Sequence, residues 1–229
     1  MKRFYKSVAV IEKESGYSIT LDQRNLKTPL KASLVMPTRA LAAAVAEEWE
    51  AQEEIINTEA MPLTKLANTA IDRVNSRRED IIDELSAYSG TDLICYYAEY
   101  PEMLVERQKD AWSPYHGWLQ ETYGVTLKTT SGIIHVTQEA DVLSRLKDEM
   151  KTIDSFRLTA LHGFTTGLGS FTMGLSMIKN SVPLDTIWPA ALVDELFQEE
   201  EWGADEEAVE TRKNLYFDMQ STEKYLTYL

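Results

Sequence analysis

Apolar and polar positions alternate in one way up to Pro37 and in another way beyond it. Residues 4–11, "FYKSVAVI", and 17–22, "YSITLD", are rich in β-branched and aromatic residues and predict two strands. "EKESG" between them reads as a hairpin connection and "DQRN" as a second turn. "LKTPLKASLV" predicts a further extended piece, with Pro29 at an edge because proline has no N–H for a ladder. After Pro37 the period changes to that of a helix. Thr38 is placed to cap it, Leu41, Val45, Trp49, Gln52 and Ile56 fall on one face, and the intervening alanines are the best helix formers.

From Leu63 onward the pattern is almost entirely helical. "LTKLANTAIDRV" and "REDIIDELSAYSG" predict two short helices, the second stopped by Gly90. "EMLVERQKDAW" carries the period through Leu104, Gln108, Ala111 and Tyr115. "SPYHGWLQETYG" predicts a restart, with Ser113 as cap and Pro114 at the first helical position. "VTLKTTSGIIHVTQ" interrupts the run as a hairpin around Ser131-Gly132, either joined to the N-terminal sheet or standing as an insertion. Helices resume over "ADVLSRLKDEM", "SFRLTALHGFTTGL", "LDTIWPAALVDELFQEEEW" and "EEAVETRKNLYFDMQSTEKYL". The expected class is α+β: a small β-rich domain over 1–60, then a larger helical domain over 61–229, with a short hairpin near 125–137.

Composition narrows the function. At 229 residues the chain can bury a real core, and 44% apolar with 26% charged residues is ordinary for a globular protein. A net charge of −14 argues against nucleic acid as the main partner, because phosphate binding rests on clustered Lys and Arg. The charge is uneven: up to Arg39 eight bases face three acids, and the remainder is strongly acidic. A single cysteine, Cys95, precludes an internal disulfide and suits a reducing compartment. The N-terminal apolar run is too short for a secretory or membrane segment.

The most charged stretch is "FQEEEWGADEEA". Gly203 can end one helix and Asp205 cap the next, with Glu206 and Glu207 in the first turn, where the macrodipole favours acids. Glu199, Glu200 and Glu201 lie in the last turn of the preceding helix, where the dipole disfavours them, so helix stability accounts for only half of the cluster. The remainder reads as solvated surface, as a partner-facing surface or as a metal site. The metal reading is weak, since no histidine stands at a useful spacing. Trp202, between the two acidic runs, is either an anchor for a partner carrying Arg or a ring that closes the end of a bundle.

Other candidates are bland. Cys95 sits among apolar residues as a small hydrophobe, and His116, His135 and His162 lie in unrelated segments. "HGFTTGLGSFTMG" lacks the preceding strand and the following Lys-Ser/Thr of a phosphate loop, so its glycines serve close helix packing. No catalytic constellation emerges, and a binding module is expected rather than an enzyme.

"RFYKSVAV", "GYSITLDQRNLKTPLK", "EEWEAQ", "MPLTKLANTAIDRV", "TDLICYYAEYP", "RQKDAWSP" and "DELFQEEEWGADEEA", in that order, resemble the assembly chaperones for the α subunit of the ATP synthase catalytic head. The resemblance runs from about residue 3 to about residue 212. It implies a non-enzyme without cofactor or metal, a small mixed-β N-terminal domain and a C-terminal helical bundle. It further implies a protein that holds the free α subunit, prevents its aggregation and yields it to the β subunit; a monomer is expected. Eukaryotic members act in the mitochondrial matrix; a start at "MKRFYK" with nothing to cleave suggests the bacterial cytoplasm. The family's functional acidic residue lies in the C-terminal helical region, and Glu201, Glu206 and Glu207 are the nearest matches. Glu199, Glu200, Trp202 and Asp205 complete the expected partner-binding set. The rival expectation is a metal hydrolase built from the acidic cluster and one histidine.

Overall fold

The first two predicted strands pair as an antiparallel hairpin in the computed structural model, which describes residues 1–180 and 182–229. β1 (Val8–Lys13) and β2 (Gly16–Leu21) run in register from Val8 opposite Leu21 to Lys13 opposite Gly16. β3 (Arg24–Asn25) adds to the other side of β2. β2 is therefore central, and its Ser18, Ile19, Thr20 and Leu21 are all buried. Gly16 has φ of +146°, and a Cβ there would stand 2.3 Å from the Met36 carbonyl oxygen. That closeness lets Tyr17 and Met36 exchange backbone hydrogen bonds of 2.8 and 2.7 Å.

Pro29 does not lie in an extended edge piece as its flanking pattern predicts. It stands at the second position of a turn closed by Lys31 N–H donating to the Thr28 carbonyl at 2.8 Å. Proline's fixed φ suits that place, and Asp72 stabilises the turn by accepting from Thr28 Oγ1 and Leu30 N. Beyond it, Thr38 Oγ1 accepts from Leu41 N at 3.1 Å and starts α1 (Arg39–Glu50) as expected. α1 buries Leu41 and Val45. Tyr5, Leu21, Ile56 and Met61 form a core cluster closed by Trp49, whose carbonyl accepts from Tyr5 Oη at 2.6 Å.

α2 (Pro62–Thr69) has no cap of its own. Glu48 supplies one from α1, accepting from Leu63 N at 2.7 Å, Thr64 N at 2.8 Å and Thr64 Oγ1 at 2.7 Å. Burial raises the Glu48 pKa even against these three donors. A π-helical turn, Ala70–Val74, follows, then α3 (Arg78–Gly90).

Two compact units result. The first holds Met1–Arg78, Asp154–Ala160 and Gln220–Leu229; the second holds Glu79–Ile153 and Leu161–Met219. In the second, β4 (Tyr96–Tyr97) pairs in parallel with β5 (Thr130–Ser131), so the segment around Gly132 forms neither a hairpin nor part of the N-terminal sheet. Between these strands, α4 (Glu102–Tyr123) is one helix, not two: it carries Pro114 in its interior. Buried Gln108, Trp112, Tyr115 and Leu119 form a single stripe across the proline, and that continuous burial outweighs one lost backbone hydrogen bond.

α5 (Ala140–Thr152), α6 (Ser155–Leu168), α7 (Phe171–Asn180), α8 (Leu184–Ala191), α9 (Val193–Trp202) and α10 (Glu206–Thr227) complete the chain. The wholly buried Asp92 accepts from Thr172 N at 2.8 Å and Thr172 Oγ1 at 2.7 Å, capping α7. Gly167 and Gly174 serve packing, as their pattern predicts, whereas Gly169, with φ of +67°, follows the end of α6 and has no atom nearer than 4.0 Å to a Cβ placed on it. A Cβ at Gly174 would lie 3.1 Å from Thr165 N, and one at Gly167 would lie 2.6 Å from Met219 Sδ. The expected α+β class is the observed one.

Candidate functional site

The acidic stretch spans the α9–α10 corner, and α4 fixes where α9 begins. Trp112, fully buried, donates its indole N–H to the Ala190 carbonyl at 2.8 Å, at the end of α8. Leu192, with φ −107° and ψ 17°, breaks the run there, so "LDTIWPAALVDELFQEEEW" is two helices where its pattern predicts one. One turn earlier on α4, Gln108 accepts from Ala98 N at 2.7 Å and donates to Asp194 Oδ1 at 2.6 Å. Its neighbour Arg107 pairs with Glu200 at 2.7 Å while its guanidinium stands 5.3 Å from the Phe197 ring centroid.

α9 ends at Gly203, whose φ of +87° suits glycine and whose N–H donates to the Glu199 carbonyl at 2.9 Å. Asp205 caps α10 by accepting from Ala208 N at 2.8 Å, and Glu206 and Glu207 occupy its first turn. Of the three glutamates that the α9 dipole disfavours, two are compensated by bases: Glu199 by Arg212 of α10, and Glu200 by Arg107. Glu201 is exposed.

Trp202 does not close the bundle. Its side chain is 79% exposed. It borders an open groove of about 600 Å³ between α9 and α10, with Leu192, Ala208 and Leu215 as apolar lining and Glu199, Asp205 and Glu207 among its acids. The groove thus gathers four of the seven residues expected at a partner surface: Glu199, Trp202, Asp205 and Glu207. Glu200 turns to α4, and Glu201 and Glu206 stay outside.

Sequence reasoning missed Asp194, Glu195, Arg107, Gln108 and Arg212. Burial pushes the Asp194 carboxyl above its ordinary range, opposed by the Gln108 hydrogen bond. Asp194 and Glu195 lie one helical turn before the acidic run, which is the signal that could have extended it.

Elsewhere the chemistry stays bland. Burial drives the Cys95 thiol far up, away from the reactive thiolate. His116 meets the Ile94 carbonyl, His135 the Tyr96 hydroxyl and His162 the Glu84 carboxylate. Among the described residues no group of three or more His, Cys, Asp or Glu is placed to hold a metal ion. No helix among them is long and apolar enough to cross a membrane.

A family model described as ATP12 chaperone protein matches residues 2–120, just over half of the chain. The chain belongs to the ATP12 chaperone family. ATP12 proteins are assembly chaperones of the ATP synthase and not enzymes. Paracoccus denitrificans Atp12 is 40% identical and superimposes with a TM-score of 0.95 over 99% of this chain and 97% of that one. An aspartate-to-lysine mutant of the same Paracoccus protein gives 39% and 0.96, again over 99% and 97%. The protein atp12, mitochondrial, of Schizosaccharomyces pombe is 26% identical over 221 residues, covering 91% of this chain and 76% of its own.

Proposed function

We propose that this ATP12 family member binds the free α subunit of the ATP synthase catalytic head, keeps it from aggregating and yields it to the β subunit. An unassembled subunit exposes surface that it will later bury, and such surface invites aggregation. Its holder needs a face that is complementary but displaceable.

The observation that carries this reading is the exposed Trp202 between acidic helix ends. An exposed large aromatic beside carboxylates matches the anchors on which interfaces concentrate their energy. The charge around it supplies approach rate and specificity more than strength, which suits a partner that must be released. Glu199, Glu200, Glu201, Asp205, Glu206 and Glu207 are the proposed acidic contacts, and the chain acts as a monomer in the bacterial cytoplasm.

Co-expression with the cognate α subunit, β being absent, tests this. The α subunit should stay soluble and co-elute with the chain in size-exclusion chromatography. Aggregation of α to the same extent with and without the chain would contradict it.

A further inference from the structure

Resting on that reading, we infer that the α9–α10 groove seats one basic amphipathic helix of the α-subunit client. The walls of the groove are themselves helices. The shorter, α9, has ten residues and spans about 15 Å, enough for the i, i+4 and i+7 anchors of a docked helix. Leu192 and Leu215 offer an apolar floor, and the exposed Trp202 ring forms one end.

Charge selects the occupant. Glu195, Glu199, Asp205 and Glu207 line the groove, and Arg212 is the one base among its lining residues, already paired with Glu199. A cation at the edge of an apolar helix face would meet the remaining carboxylates. A second copy of a chain with net charge −14 would bring mostly like charge to that rim, and an anionic lipid surface would be repelled.

Two variants test the seat without touching the core. Trp202→Ala removes the anchor. Ala208→Arg, at an exposed position on α10, fills the lip with a side chain that pairs with the rim and keeps good helix propensity. Affinity for the purified cognate α subunit would be measured by biolayer interferometry, with circular dichroism to verify the fold. Trp202→Ala should weaken binding about thirtyfold, as loss of an interface hot spot does, and Ala208→Arg at least about tenfold.

If either folded variant binds within about threefold of the wild-type chain, the groove is not the seat, although the proposed function stands. A wild-type chain that does not bind α at all overturns both. Light scattering that shows a dimer abolished by Trp202→Ala would assign the groove to a second copy and overturn the helix assignment.

Discussion

Trp112→Phe tests whether α4 positions the α8–α9 corner. The indole is fully buried and its N–H serves the Ala190 carbonyl at 2.8 Å. Phenylalanine keeps most of the apolar contact but has no donor. The orphaned buried carbonyl costs about 1–3 kcal/mol. The smaller ring adds about 1 kcal/mol of lost contact and cavity. A sum of about 3 kcal/mol lowers the melting temperature of a chain of this size by about 6–12 °C. Differential scanning calorimetry measures this, and it separates the two units if they unfold independently. Trp118→Phe is the internal control. The Trp118 indole N–H has no hydrogen-bond partner among the described residues, so the same ring change there should cost clearly less. A Trp112→Phe melt within about 2 °C of the wild type, or one no lower than that of Trp118→Phe, would refute the idea that this hydrogen bond holds the corner.

Four further outcomes are expected. Reversing Glu201, Glu206 and Glu207 to Lys should weaken α-subunit binding while circular dichroism stays unchanged, and wild-type binding should weaken as salt rises, because exposed charge is screened; affinity flat in both experiments would return the cluster to solvated helix ends. Asp194 has a raised folded-state pKa, so its contribution to stability is full below its ordinary value of 3.8 and is lost as pH rises through the folded value. Asp194→Asn, which keeps an acceptor for Gln108, should therefore gain stability relative to wild type on going from about pH 4 to about pH 7 in thermal melts; a gap constant with pH would contradict the raised pKa. Gly16→Ala should cost about 3 kcal/mol or more in urea unfolding, from its positive φ and the 2.3 Å approach to the Met36 carbonyl, and a neutral result would mean that β2 can shift at no cost.

What could be read from the chain beforehand is what depends on neighbours in sequence. The β1–β2 hairpin, the Thr38 cap, the stop at Gly203 and the Asp205 cap all rest on residues within a few positions of each other. Ser113-Pro114 misled because a proline preceded by serine has the chemistry of a helix start. The stripe from Gln108 to Leu119 that overrides it is satisfied only by packing. The α8–α9 break at Leu192 was hidden because the Ala190 carbonyl finds its donor 78 residues away, on Trp112. Glu48 and Asp92 likewise cap helices that begin far from them in sequence, so no local pattern marks either as a cap. At the candidate site the acids from Glu199 to Glu207 and Trp202 were legible as one local run, but Glu195, a turn earlier, was not. The groove was not, since it needs Leu192 and Leu215 to come together across the corner.

The central claim is displaceable binding of one subunit. Its most direct test is a preformed complex of this chain with the α subunit, challenged with the β subunit and resolved by size-exclusion chromatography. The chain should be released as a monomer while α elutes together with β. A complex that stays intact at excess β, or a β subunit that joins without displacing the chain, would contradict the handover.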